Sequence, residues 1–290
     1  MKVYTHPTYS YVTVAEIPRS EISKIDVAMC NQPKETLEQF IERQTDKPDV
    51  LINGGFFALS TGDTIFTIVD DGVEYSVDPG YLYGIGISGM SDISFSKYTK
   101  DGGFRDFICG YPVLVKNGKP YSSKVGSELN YKARRSMFGF NDDTVWFVTV
   151  DLPGLAYSSM KKIMVDLGAS FAINLDGGGS TRMIVDGKTY AAASSNRPVD
   201  SVVAVYMKNE NDDLYRVQVG AFTRESNAIL LRNKIRSLND SINAGYKNAY
   251  VRLIDGLYKV QVGAYSNRDN ADRVAANLKL HGYSCYVTKG

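Results

Sequence analysis

The sequence predicts an α+β protein in two parts, a large mixed-sheet domain over residues 1–208 and a small βαββαβ domain over 209–290. Three observations carry that reading. One segment near the C-terminus occurs twice, the region before it is rich in short apolar runs with few long helices, and a polar stretch separates the two.

The duplication is read directly. LYRVQVGAFTRESNA at 214–228 returns as LYKVQVGAYSNRDNA at 257–271, starting 43 residues later. In each copy an alternating strand-like run leads through Gly-Ala-aromatic to Thr223 or Ser266, both residues suited to capping a helix N-terminus. Ala271, Val274, Ala275 and Leu278 then share one helical face, and the HGY at 281–283 ends that helix. AYVRLI follows the first helix and YSCYVT the second, so a four-stranded sheet backed by two helices is expected. The run KNENDD at 208–213 reads as a hydrophilic linker, which places the domain boundary near 209.

Upstream, alternating or continuous apolar runs predict strands at 2–5, 10–16, 24–28, 50–52, 64–69, 73–76, 113–115 and 145–150. Two helices stand out. KETLEQFIER puts Leu37, Phe40 and Ile41 on one face, and SSMKKIMVDLG does the same with Met160, Ile163, Met164 and Leu167 before a stopping glycine. The second helix lies between VWFVTV and FAINL, so the DGGGS at 176–180 follows a strand–helix–strand unit. Loops at the carboxyl ends of such strands are common ligand sites.

Composition excludes several chemistries. Lys and Arg number 33 against 32 Asp and Glu, so no net field draws nucleic acid or an anionic membrane. Cys30, Cys109 and Cys285 are odd in number and lack metal-ligand spacing, which predicts buried or partly buried thiols and no disulfide framework. The only histidines, His6 and His281, lie near opposite ends and are expected on the surface, so a Ser-His-Asp triad or a His-rich metal site is not expected. No cofactor is called for, and no run is long and apolar enough to span a membrane. The N-terminus shows no apolar signal-peptide core, so synthesis in the cytoplasm is expected.

Four stretches remain as carriers of chemistry. In NGGFF at 53–57, Gly54 and Gly55 fit a tight turn with positive φ while Phe56 and Phe57 enter the core; they also fit a backbone shaped around a ligand. In KARRSMFGF at 132–140, strand alternation sends at most one of Arg134 and Arg135 into a cleft, where a guanidinium could grip phosphate, although a solvated strand end fits as well. DGGGS surrounds one carboxylate with glycine, either as a loose tip or as a cradle. SSNRPVDSVVAVYM at 194–207 offers Asn196 and Arg197 ahead of a proline, or an ordinary loop.

In this order, over roughly residues 25–207, the four stretches resemble the phosphodiester glycosidase family, members of which remove N-acetylglucosamine from a sugar-phosphate diester. The pattern Asn-Gly-Gly-Phe-Phe matches 53–57, Arg-Ser-x-x-Gly matches Arg135, Ser136 and Gly139, Asp-Gly-Gly-Gly-Ser matches 176–180 and Arg-Pro-Val matches 197–199. Met137-Phe138 departs from the smaller or aliphatic residues commoner there. The duplicated tail, over about 213–289, resembles the SPOR domain, a peptidoglycan-binding module with a ferredoxin- or RNP-like sheet; both Val-Gln-Val-Gly-Ala-aromatic copies carry the match. The SPOR family binds glycan on its exposed sheet face, where Gln218 and Gln261, out of phase with their flanking valines, could meet sugar hydroxyls with Tyr215 and Tyr258 beside them; they fit the flanks of a turn as well.

The first resemblance implies hydrolysis at an anomeric carbon bonded to phosphate. Phosphate leaves readily, so one carboxylate with cationic support suffices. Asp176 is assigned to the reacting centre as base or nucleophile, Arg135 to the phosphate, and Gly177, Gly178, Gly179, Ser180 and Thr181 to oxygen recognition. Asn53, Asn196 and Arg197 would orient sugar or phosphate next to Gly54 and Gly55, with Asp151 as a reserve carboxylate. No metal is assigned. Together the two resemblances imply an enzyme directed to the bacterial cell wall, whose glycan is its partner and whose substrate is a sugar-phosphate polymer such as teichoic acid or its linkage. Action after lysis would suit a phage endolysin or a mother-cell lytic enzyme. Two competing classes are a non-catalytic wall-binding or phage structural protein, and a hydrolase of ordinary peptidoglycan bonds.

Overall fold

The computed structural model describes every residue except 32–33, 123–129, 194, 209–213, 239–243, 255, 266 and 290. The expected linker at 208–213, its boundary near 209 and the Ser266 cap therefore fall largely or wholly outside the described residues. The chain divides into two compact units. The first comprises Met1–Ile87, Ile93–Gly102 and Asp106–Met207, and the second comprises Ser88–Asp92, Gly103–Arg105 and Lys208–Gly290.

Three sheets build the first unit. A seven-stranded sheet runs, edge to edge, through Lys2–Thr5, Val12–Pro18, Thr144–Leu155, Ala133–Phe140, Phe171–Asn174, Val113–Lys116 and Lys119–Pro120. A five-stranded sheet runs through Lys188–Ala192, Arg182–Val185, Val50–Asn53, Ser201–Met207 and Ile22–Met29, and a second five-stranded sheet through Val73–Ser76, Ile68–Asp70, Asp106–Cys109, Tyr83–Ser88 and Asp92–Lys97. Period-two alternation explains how one core serves all three. Val145, Phe147, Phe138 and Phe140 point into a central cluster with Val50, Ile52, Val203 and Val205, and Ile68, Ile85 and Ile108 close it from the third sheet. The residues between them face the other way. Trp146, Val148 and Met137 pack with helix α2 (Tyr157–Asp166), and Leu51, Val202 and Ala204 pack with helix α1 (Leu37–Arg43).

Both expected helices are present. Thr36 and Gln39 form a reciprocal capping box at α1, which buries Leu37 and Phe40. Helix α2 buries Met160, Ile163 and Met164, and Gly168 follows at φ +90°. The strand–helix–strand reading also holds, with one addition: Ala133–Phe140 lies between Thr144–Leu155 and Phe171–Asn174 and is antiparallel to both.

Three expectations need correction. The strand expected at 64–69 begins only at Ile68, because Phe66 has φ +67°, outside the extended region. Neither Gly54 nor Gly55 takes positive φ, and Phe56 and Phe57 are half-buried, not sunk in the core. His6 is buried: its own backbone closes a turn with Tyr9 and Val12, and Thr8 N–H donates to its Nδ1. His281 is exposed as expected, and Cys30, Cys109 and Cys285 are buried, unpaired thiols.

The second unit contains an antiparallel sheet in the order Ala249–Ile254, Leu257–Tyr265, Tyr215–Phe222, Tyr286–Lys289, with helices α3 (Glu225–Arg236) and α4 (Arg268–Leu280). Ala271, Val274, Ala275 and Leu278 form the buried face of α4, as the spacing requires. The caps differ from expectation. Arg224, not Thr223, is the N-cap of α3, and Asn267 caps α4 by accepting from Asp269 N–H. Among the described residues no helix is long and apolar enough to cross a membrane.

Candidate active site and glycan-binding sheet

Four strand ends from two sheets converge at Asp176. Asn53 ends its strand and is fully buried, and its side chain bonds three separate segments. Its Nδ2 donates to the Asp176 carbonyl at 2.7 Å, while its Oδ1 accepts from Ser136 Oγ at 2.6 Å and from Arg182 N–H at 3.2 Å. The Leu175 amide donates to the Ser136 carbonyl and the Asp176 amide to the Gly54 carbonyl. Ser201, which opens the last strand of its sheet, accepts from Gly54 N–H through its carbonyl and from Gly55 N–H through its hydroxyl. Sequence assigned Asn53 to the ligand; its geometry gives it the scaffold.

Close approach explains the glycines. A Cβ on Gly54 would stand 2.7 Å from the Ser201 carbonyl carbon, and one on Gly177 would stand 2.6 Å from the Arg134 carbonyl oxygen. Gly178 is exposed at φ +59°, and a side chain on Gly179 would collide with the Arg197 guanidinium. The loop is a short 3-10 turn over Gly178–Ser180 pressed between Arg134–Arg135 and Arg197.

The Asp176 carboxylate is held at its own loop by Gly177 N–H, 2.8 Å from Oδ1. Burial raises its pKa above the ordinary carboxylate value, opposed by the neighbouring Ser180 hydroxyl, the Gly177 amide and the positive charge of Arg197. Ser180 and Thr181 are both buried, and among the described residues the Thr181 hydroxyl meets no partner in hydrogen-bond geometry. The Ser180 hydroxyl is the side-chain hydrogen-bonding neighbour that favours the ionised carboxylate.

The paired arginines separate as alternation requires. Arg135 points inward and is buried, donating to Tyr157 Oη at 2.9 Å and to the Tyr131 carbonyl at 3.0 Å, its guanidinium against both rings. Arg134 faces the other way and pairs with Asp151 at 2.6 Å. Asp151, the reserve carboxylate, is committed to that ion pair and to Leu152 N–H. Arg197 is half-buried over the glycine loop, and Asn196 is exposed at φ +38°. Arg197 is therefore the cation that acts on Asp176, whereas Arg135 is enclosed by tyrosines.

A second charged knot escaped sequence reading. Asp200 is buried and receives Lys34 Nζ at 2.6 Å and Thr64 Oγ1 at 2.7 Å, and Lys34 also donates to the Gly62 carbonyl and lies over the Phe57 ring. This knot ties the loop after Gly55 to the Arg197-Pro198-Val199 segment. A lone aspartate one residue ahead of the apolar run at 202–207 was the available signal. Among the described residues no three His, Cys, Asp or Glu side chains are grouped to hold a metal ion.

The expected glycan contacts in the second unit sit differently from the sequence reading. Tyr286, Gln218, Gln261 and Tyr250 are register partners across the four strands, a single cross-strand ladder. Gln218 and Gln261 are buried in its middle, and Gln218 Nε2 donates to Tyr286 Oη at 2.6 Å. Both amides, expected to be open, are therefore buried. Tyr215 and Tyr258 fall in phase with Val217 and Val260 and pack against the helix-side core, so they too leave the exposed face.

Comparisons with known proteins agree with this architecture. The family model described as phosphodiester glycosidase matches residues 46–206, and that of the SPOR domain matches 211–289. No curated protein matches the sequence. The catalytic domain of zebrafish N-acetylglucosamine-1-phosphodiester alpha-N-acetylglucosaminidase, auto-inhibited by its pro-peptide, superposes with a TM-score of 0.56 at 19% identity, covering 72% of this chain and 87% of that one. A hypothetical protein from Synechocystis gives a TM-score of 0.60 at 13% identity, covering 71% of this chain and 61% of its own. The peptidoglycan binding domain of the B. subtilis cell wall lytic enzyme CwlC is 38% identical over 29% of this chain and 96% of that one, with a TM-score of 0.25. With the family pattern spanning the strands that converge on Asp176, the chain belongs to the phosphodiester glycosidase family and carries a SPOR domain behind its catalytic fold.

Proposed function

We propose that the protein hydrolyses a sugar-1-phosphodiester in or on the bacterial cell wall, held there by its SPOR domain. The observation that carries the reading is the half-buried Asp176 carboxylate with its raised pKa, set between the Gly177 amide and Arg197. A raised pKa makes the ionised carboxylate a stronger base. Asp176 takes the proton of a water attacking the anomeric carbon, or bonds to that carbon itself. The bond from carbon to phosphate oxygen breaks, and the phosphate leaves as a monoester. Arg197 offsets the negative charge gathered on the departing phosphate, with the buried Ser180 and Thr181 hydroxyls at the loop.

An N-acetylglucosamine-1-phosphodiester in teichoic acid, or in its linkage to peptidoglycan, is the substrate this reading names. The SPOR domain raises the local concentration of the catalytic domain at such a polymer. The reading extends to action on walls opened by lysis, as by a phage endolysin or a mother-cell lytic enzyme. Purified walls incubated with the protein are expected to release soluble sugar or phosphomonoester products identifiable by mass spectrometry, and the anomer first released separates the base role from the nucleophile role. Walls that bind the protein and release nothing would refute the catalytic reading.

A further inference from the structure

A group of aromatic rings beside the Asn53–Phe57 motif takes no part in the chemistry above. Phe66 is its hub, with ring centroids 5.2 Å from Phe56, 4.0 Å from Tyr81 and 6.1 Å from Tyr111, and Tyr81 meets Tyr111 edge to face at 5.2 Å. All four residues are half-buried, whereas the core of this domain buries its rings fully at Phe107, Phe138 and Phe147. Phe66 also takes φ +67°, an outlier for a bulky residue, in a loop closed by Ile65 N–H donating to the Phe56 carbonyl. Backbone strain of this kind persists where surrounding structure enforces it, and it collects at ligand sites.

The group is rooted at the reacting end. Phe56 lies two residues beyond Gly54, whose carbonyl accepts from the Asp176 amide. The Tyr111 carbonyl accepts from Asn174 Nδ2 at 2.7 Å, two residues before Asp176. We propose that Phe56, Phe66, Tyr81 and Tyr111 form a stacking subsite for a pyranose ring next to Asp176, which makes the substrate an oligosaccharide or longer glycan. The proposal rests on the sugar-phosphodiester reading above. A pyranose presents an apolar C–H face and a rim of hydroxyls, and the half-buried group presents aromatic surface with two phenolic hydroxyls.

The test uses the full chain with ring-13C tyrosine, the Tyr81 and Tyr111 signals being assigned through Tyr81→Phe and Tyr111→Phe. Titration with chitotetraose is expected to shift both signals saturably, and Tyr81→Ala to weaken the affinity read at Tyr111 about tenfold in a variant that circular dichroism shows folded. Signals that stay still at millimolar chitotetraose overturn the subsite, whatever saccharide the SPOR domain binds and whether or not Tyr81→Ala folds. Release of product from walls with unmoved rings removes the subsite alone. Moving rings in a protein that releases nothing from walls keep the subsite and remove the catalytic reading.

Discussion

The Asp176 site and the C-terminal sheet are held by opposite devices. At Asp176, residues 83 and 123 positions apart meet through one buried amide, Asn53, and the loop itself is nearly bare of side chains. In the C-terminal sheet a duplicated segment pairs with its own copy, and repeated alternation sorts valines to the helices and glutamines to the other face. Convergence makes a point of chemistry that depends on a few bonds. Repetition makes an extended surface in which each residue is backed by a like neighbour, so single substitutions should matter far more in the first region than in the second.

Substituting Asp176→Asn gives the largest effect. Turnover of a sugar-1-phosphodiester should fall at least about a hundredfold with circular dichroism and melting temperature preserved; full turnover in a folded variant removes Asp176 from the reacting centre. Next comes Asp70, whose pKa is raised to about 7 by burial, with the charges of Asp106, Asp26 and Asp71 adding to it against the Met29 amide. A raised carboxylate pKa favours the folded state while the group is protonated. Its contribution is complete below about pH 4 and is lost as pH rises through about 7, by up to about 4 kcal/mol. Denaturant titrations across that window should show a flatter pH dependence for Asp70→Asn, and an unchanged profile refutes the assignment.

Asn53→Ala strips the partner from the Asp176 carbonyl, the Ser136 hydroxyl and the Arg182 amide at once, and should cost about 3 kcal/mol of stability by urea unfolding. A loss below about 1 kcal/mol would mean that convergence at Asn53 is dispensable. Smallest is Tyr286→Phe, which removes one hydrogen bond to Gln218 at an exposed ring and should cost about 1 kcal/mol or less. A large loss there would break the contrast between the two regions.

Much of this was legible in the chain. The internal repeat and its helical face, helices α1 and α2, the strand–helix–strand unit before the glycines and the opposite facing of Arg134 and Arg135 all follow from periodicity, because side-chain direction is a local property of helix and strand. The strands at 83–88, 92–97 and 106–109 were missed, since short runs broken by glycine and charge carry little periodic signal.

What the sequence by itself determined is therefore the internal repeat, helices α1, α2 and α4, the opposite facing of Arg134 and Arg135 and the four motifs. Only the tertiary structure decided what those motifs do for one another. It turned Asn53 into the brace under Asp176, enclosed Arg135 between two tyrosines, set Arg197 over the glycines and buried Gln218 and Gln261. The reason is physical: alternation decides the side of a strand on which a group emerges, whereas burial and pKa depend on which distant groups arrive there, and that is settled by packing between elements.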